Sequence, residues 1–415
     1  MRETKNTEFK EQITNSFLKT VSAFANYGNG QILFGVCDNG EICGIENPIQ
    51  ACLDIENKIN DNINPVPYYT LEINDKTSVI TLNVMEGMYK PYFYKSKAYI
   101  RNDSSTIEVN RLELTRLILE GQNISFEECK AKKQDLSFCV LSKKLENKLN
   151  LSSINLDTLK TLELYDDKNG YNNAAELLAD TNTFPGIDIV RFGNNINIIL
   201  DRVTFSNESI LSQYDKTIEI FNKYYCYEEI KGAFREEKEL IPEECFREAI
   251  ANALVHRTWD INAHITVSMF DDHIEITSPG GLPKGISEEE YLNGGISIPR
   301  NYIICNVFMR LQMIERFGTG IRRIKEFYKT NEAKPTFNLT SNRIQIILPI
   351  FNENNNLSEN PRKIYDLLKK QSMSSSSIMK ATGFGKTKVV AILNQLIQDG
   401  YIRKTGTGKA TRYSV

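Results

Sequence analysis

The 415-residue sequence has little of what marks several functional classes. Its eight cysteines (Cys37, Cys43, Cys52, Cys129, Cys139, Cys226, Cys245 and Cys305) include no CxxC pair. That scatter argues against a zinc knuckle or a disulfide framework, and the expectation is reduced thiols in a cytoplasmic protein. Three histidines are too few for a histidine-rich metal site. No run of eighteen apolar residues is present to span a membrane, and "MRETKNTEFK" has no apolar signal-peptide core. The P-loop pattern GxxxxGK[ST] is missing, so a motor helicase is unsupported. There is also no internal repeat of fixed period.

What is present reads as a soluble, globular, multidomain chain. The hydrophobic fraction of 41% and charged fraction of 25% are ordinary, and the length suggests two to four domains. The net charge of −3 hides an asymmetry. From Leu357 to the end there are eleven Lys and Arg against three Asp and Glu, a balance of +8. The preceding 356 residues carry 39 basic against 50 acidic side chains, a balance of −11. A basic module on an acidic body points to a polyanionic partner.

The patterning predicts five segments. Residues 1–125 read as an α/β unit, opened by a helix over "FKEQITNSFLKTVSAFANY" with Ile13, Phe17, Val21 and Phe24 on one face. The buried strand "QILFGV" and a tight turn at Asn39-Gly40 follow. Residues 126–235 form an α/β connecting region whose "SILSQYDKTIEIFNKYYCYEEI" reads as one long helix. Residues 236–351 hold a helix, a strand pair, a second helical zone and a closing strand. The polar tract 352–360 is a linker. Residues 361–415 have three short helices and a two-stranded ending, which is winged helix-turn-helix architecture. Its third helix would offer Lys386, Thr387 and Lys388 to the major groove of double-stranded DNA, while Arg403, Lys404, Lys409 and Arg412 of the wing approach phosphates.

In the middle segment, "REAIANALVHR" spaces Glu248, Asn252 and His256 by four residues, which stacks them on one helical face. "SPGGLP" and "RFGTGIRR" supply glycine turns whose backbone N–H groups can face phosphates. This order resembles the nucleotide-binding module of the GHKL-type ATPases, in the divergent form of bacterial proteins labelled RecG-like or as transcriptional regulators. The resemblance implies ATP as ligand, Glu248 as the water-activating base and Asn252 as a Mg²⁺ ligand. It places Gly280 and Gly281 near the adenine and Gly318, Thr319 and Gly320 in the phosphate lid. The aspartate usual ahead of the first glycine turn is missing here, with Glu275 and Ser278 in "EITSPGG" instead.

The first 125 residues resemble the Schlafen AlbA-like (divergent AAA) domain through "TEFKEQ", "KTVSAFANYGNGQILFGVCDNGEICGI" and "KPYFYKSKAYIRNDSST". In nuclease-competent Schlafen proteins, two glutamates and an aspartate after the "FGV" strand form a metal-dependent RNA-cutting site. The matching positions are Glu3, Glu8 and Asp38, and they imply Mg²⁺ or Mn²⁺. Lys10 and Arg101 would position phosphate, and Lys90, Lys95 and Lys97 alternate with tyrosines that could stack on bases. Asn29 stands where a second glycine is common, and Asp103 where "RxGSST" has glycine. Two functions follow as expectations. One is a metal-dependent endoribonuclease for structured RNA such as tRNA, with phage defence as a role. The other is a non-catalytic DNA-binding transcriptional regulator with a ligand-sensing module. A homodimer is plausible for either.

Overall fold

A computed structural model describes residues 2–149, 154–231, 234–283, 285–294, 298–314, 318–329, 331–351, 359–398, 401–406, 408 and 411–414. The chain divides into two units, Met1–Cys129 and Lys130–Val415.

The first unit is built on a four-stranded sheet in the order Thr7–Lys10, Gly30–Phe34, Val79–Val84, Tyr69–Asn74. The first pair is parallel and the others antiparallel. A parallel pair needs a crossover, which the helix Phe17–Tyr27 provides. That helix begins at Phe17, later than its apolar pattern suggested, so Ile13 lies before it and packs against the core from outside. Phe17, Leu18, Val21 and Phe24 meet Ile32, Phe34, Ile80 and Leu82 in one core. A second helix, Pro48–Asn62, has no counterpart in the sequence reading. Pro48 at its first turn and Ala51, Ile55 and Ile59 at intervals of four were the available signals.

The second unit holds a six-stranded sheet in the order Ile199–Phe205, Ile187–Phe192, Ile265–Met269, His273–Pro279, Arg343–Pro349, Thr336–Leu339. Its two leading strands come from the expected connecting region and the other four from the expected ATPase-like segment. One sheet therefore crosses residue 236. The pairing between Ile187–Phe192 and Ile265–Met269 is parallel, the rest antiparallel. The helix Glu243–Val255 packs against the strands His273–Pro279 and Arg343–Pro349 of this sheet, and its Ala249, Ile250, Ala253 and Leu254 are buried. The expected long helix instead ends at Tyr225, and "CYEEIK" is the first strand of a hairpin with Phe234–Glu239. β-Propensity of Tyr227 and Ile230, paired across to Lys238 and Arg235, wins there over helical periodicity.

Three helices close the chain, Glu359–Lys370, Ser375–Thr382 and Lys386–Gln398, followed by antiparallel strands Arg403–Thr405 and Arg412–Ser414. Ile364, Leu368, Ile378, Val389, Leu393 and Leu396 form their common core. Ser374 caps the middle helix and Gly383 ends it with φ +72°. Most of the expected linker, 352–358, lies outside the described residues.

Candidate functional site

Glu8 sits on the edge strand Thr7–Lys10 and is 4% exposed. A carboxylate that deep requires opposite charge or hydrogen bonds. It has both. Its Oε2 pairs with Arg101 and accepts a 2.5 Å hydrogen bond from the Thr20 hydroxyl, while Oε1 lies 2.7 Å from Lys10 Nζ. Arg101, 5% exposed, also donates to the Thr4 carbonyl at 3.0 Å and to Thr106 Oγ1 at 3.2 Å, with its guanidinium over the Phe24 ring. Glu3 accepts from the Phe9 amide at 2.8 Å, across the turn from Glu8.

Asp38 is exposed on the turn after Gly30–Phe34. Glu3, Glu8 and Asp38 are not among the groups of described residues whose ligand atoms lie within 4.8 Å of one another. Chain cations already neutralise Glu8, so these three carboxylates do not fit a Mg²⁺ or Mn²⁺ ion in this arrangement. Arg101, expected against phosphate, is turned inward because Glu8 is buried.

The expected basic and aromatic strip is corrected in the same sense. Tyr92, Tyr94 and Tyr99 belong to the core instead of offering rings to bases. Lys90 is buried and pairs with Glu86 and with Glu120, the latter at 2.8 Å. Lys95 and Lys97 are exposed, Lys97 with Glu108 at 2.7 Å. Asp103 adopts φ +54°, the left-handed conformation that glycine prefers and Asp tolerates. Asn29 does not take a positive φ; its side-chain oxygen accepts from the Glu86 amide at 2.7 Å.

The second unit assembles a different site. Glu248, Asn252 and His256 lie along the Glu243–Val255 helix and its end, and Asn252 donates to Glu248 at 3.0 Å. A cavity of about 60 Å³ is lined by these three with Tyr291, Gly318 and Gly320. Gly320 explains its own identity: a Cβ there would stand 1.9 Å from Glu248 Oε1 and 3.1 Å from Asn252 Nδ2. A larger residue there would have to push the Glu248 carboxylate aside, so the glycine lets the second turn sit against the acid–amide pair. Gly318 takes φ +59°, and the Thr319 hydroxyl is enclosed with no hydrogen-bond partner among the described residues.

The first glycine turn is employed otherwise. Gly280 N donates to the Asn342 carbonyl and the Gly281 carbonyl accepts from Arg300 at 2.9 Å, so both are bound into the fold. Ser278 is buried and donates to the Ala253 carbonyl at 2.8 Å, and Glu275 receives Gln345 at 3.3 Å.

Burial, with Arg300 nearby, holds the His256 imidazole down to about 4, so the ring is neutral, and its Nδ1 is enclosed with no hydrogen-bond partner among the described residues. Desolvation pushes the Tyr291 phenol up to about 12, keeping it a hydrogen-bond donor. The glycine cradle and the orphaned Nδ1 fit a polar ligand with a phosphate or a heterocycle. Arg257, unremarked in the sequence, follows His256 and is fully buried. It donates to the Pro185 carbonyl at 2.9 Å and to Ala263, and stacks on Trp259 at 4.3 Å. Burial lowers its pKa to about 10.

In the C-terminal segment Lys386, Thr387 and Lys388 are all exposed at the start of the third helix. Arg403, Lys404 and Arg412 are exposed on the strand pair, and Lys409 lies outside the described residues.

Against this geometry stand the comparisons with known proteins. Residues 3–110 match the family described as Schlafen, AlbA_2. The chain carries a Schlafen AlbA-type domain. Residues 262–348 match the family described as putative ATP-dependent DNA helicase recG C-terminal, a match that begins after the helix bearing Glu248 and Asn252. Among solved structures, the DIP2311 protein from Corynebacterium diphtheriae is 18% identical with a TM-score of 0.50, over 99% of this chain and 92% of that one. That likeness concerns the fold. The N-terminal domain of a putative ATP-dependent DNA helicase RecG-related protein from Nitrosomonas europaea is 24% identical, over 26% of this chain and 80% of that one, with a TM-score of 0.19. No curated protein matches. The Schlafen-type and ATPase-like domains together indicate a nucleic-acid-binding protein of α+β multidomain architecture. No helix among the described residues is long and apolar enough to cross a membrane.

Proposed function

We propose that the chain is a DNA-binding regulator in which an ATP-type ligand in the Glu248–Asn252–Gly320 pocket alters affinity for a duplex. The observation that carries this reading is the run of exposed cations on the C-terminal helix and strand pair, on a segment with a charge balance of +8. Read as a winged helix, that segment sets Lys386, Thr387 and Lys388 at the groove-facing start of its third helix, with Arg403, Lys404 and Arg412 on the wing. In the pocket Glu248 and Asn252 would hold Mg²⁺ with the phosphates against the Gly318–Gly320 turn, and the bound metal would neutralise phosphate charge. Neutral His256 and protonated Tyr291 would orient the remainder of the ligand by hydrogen bonding. Cytoplasmic location and a homodimer accord with this role.

The experiment is anisotropy of a labelled duplex across a salt series, with and without ATP and Mg²⁺. Salt-steep binding whose midpoint moves with nucleotide supports the regulator; duplex binding indifferent to nucleotide removes the sensing half.

The endoribonuclease reading, with phage defence as its setting, retains one favourable observation: Glu3 is held across the turn from Glu8. Its test is cleavage of total tRNA with Mn²⁺ by wild type beside Asp38→Asn. Asp38 is exposed, so loss of cleavage there would not be a folding effect. Cleavage by the wild type alone would replace the regulator as the primary function.

A further inference from the structure

The eight reduced thiols expected from the sequence are not what the structure holds: Cys37 and Cys43 form a disulfide with Cα atoms 6.5 Å apart. The two flank the turn that carries Asp38, Asn39 and Gly40. The Glu11 carboxylate lies with both sulfurs in a set whose ligand atoms are all within 4.8 Å of one another. Two sulfurs and a carboxylate oxygen are the donor set of a zinc-type ion and not of Mg²⁺, which takes oxygen.

Backbone hydrogen bonds tie the two cysteine segments together alongside the S–S bond. Cys37 N donates to the Glu41 carbonyl at 2.9 Å, and Cys43 N and Gly44 N donate to the Gly35 carbonyl at 2.8 and 2.9 Å. Gly35 and Gly44 take φ +85° and +69°, and a Cβ on Gly35 would meet the Gly44 backbone at 2.8 Å. Glu11 follows the strand Thr7–Lys10, whose last carbonyl accepts from Gly35 N at 2.8 Å. Reduction therefore frees two thiols whose backbone positions are already fixed. Preorganisation of that kind lowers the entropy that binding an ion must overcome.

We propose that Cys37, Cys43 and Glu11 form a redox-gated site for a thiophilic divalent cation such as Zn²⁺. In the oxidised state the sulfurs are bonded to each other and the ion is excluded. A dithiol reductant R(SH)₂ transfers two electrons and two protons, giving both cysteine thiols and the cyclic disulfide of R. The cation then displaces the two thiol protons and binds two thiolates and the Glu11 carboxylate, with water in the fourth position. The remaining cysteines (Cys52, Cys129, Cys139, Cys226, Cys245 and Cys305) are outside the disulfide and outside this set.

Cobalt(II) is the probe, because thiolate ligation gives it a near-ultraviolet charge-transfer band that carboxylate ligation does not. Full-length protein, reduced with dithiothreitol and desalted under nitrogen, is titrated with Co²⁺ and then with Zn²⁺. The expected result is one equivalent of thiolate-bound Co²⁺, displaced by Zn²⁺, and no band from the oxidised protein. Cys43→Ser should abolish the band, and Glu11→Gln, which leaves both sulfurs in place, should weaken Co²⁺ binding at least tenfold. Circular dichroism of each variant identifies a misfolded one, and Glu11→Gln carries the test if Cys43→Ser misfolds. A band of equal strength in both variants would assign the ion to other cysteines and overturn the proposal. So would no band from reduced protein in which alkylation counts all eight thiols.

Discussion

Glu8 and Glu248 are both motif acids, one in each unit, and their surroundings differ. Glu8 is saturated: a buried arginine, a lysine and a threonine hydroxyl occupy its oxygens. Beside Glu248 the Gly320 turn is pressed close, and among the described residues the His256 Nδ1, in the wall of the same cavity, is enclosed without a hydrogen-bond partner. A buried polar atom without a partner costs free energy, so the enclosed His256 nitrogen in the cavity wall marks a place for a ligand to bind. An acidic motif whose oxygens are already taken up by chain cations serves the fold before it can serve a ligand.

The strongest way to break that contrast is Glu8→Ala. It strands Arg101 in the interior without a counter-ion and should cost about 3–5 kcal/mol in the first unit. Circular dichroism in urea should show an early transition, while emission from Trp259, the only tryptophan, reports the second unit and should keep its midpoint. An unshifted first transition would mean that Glu8 is not structural.

Next in size is the pH dependence of the second unit. His256 titrates near 4 when folded and near 6.5 when unfolded, so the unfolded chain binds the extra proton first. Its contribution is fully present above pH 6.5 and is lost as pH falls toward 4, in total roughly 3 kcal/mol at 1.36 kcal/mol per pKa unit. His256→Gln should flatten that slope in the Trp259 transition. An unchanged slope would place the titration elsewhere.

Gly320→Ala sharpens the comparison at the pocket. Its methyl would collide with Glu248, so nucleotide affinity should drop at least tenfold, about 1.4 kcal/mol, with the fold retained. Equal affinity would place the ligand away from this turn. The smallest effect is expected at the C-terminal segment. Lys386→Ala should reduce the slope of log K against log salt by about 0.9 if it meets one phosphate. No change in slope would remove Lys386 from the interface.

Much of the order of elements was legible in the sequence, because strong periodicity and turn residues act locally. The Glu243–Val255 helix, the strand pair after it and the helix opened by Gly320 stand where "REAIANALVHR", "AHITVSMFDDHIEITSP" and "RFGTGIRR" place them. Proximity across distant segments was not legible. Nothing near Glu8 in the sequence announces Arg101, 93 residues away, and only the fold turns a metal ligand and a phosphate contact into an ion pair. The tyrosines of "KPYFYKSKAYIR" alternate with lysines as base platforms would, and packing against Phe17–Tyr27 takes them into the core. Cys37 and Cys43 lacked a CxxC spacing, yet a turn returning on itself joins residues six apart.

The six-stranded sheet also limits how this protein can be divided. A fragment starting at residue 236 would forfeit Ile187–Phe192 and Ile199–Phe205 and lay bare the edge of Ile265–Met269, an invitation to intermolecular strand pairing. A cut near residue 130 severs no strand pairing of that sheet. As a unit of exchange between genes, the ATPase-like half would therefore have to travel with the stretch that precedes it, whatever boundary its motifs suggest.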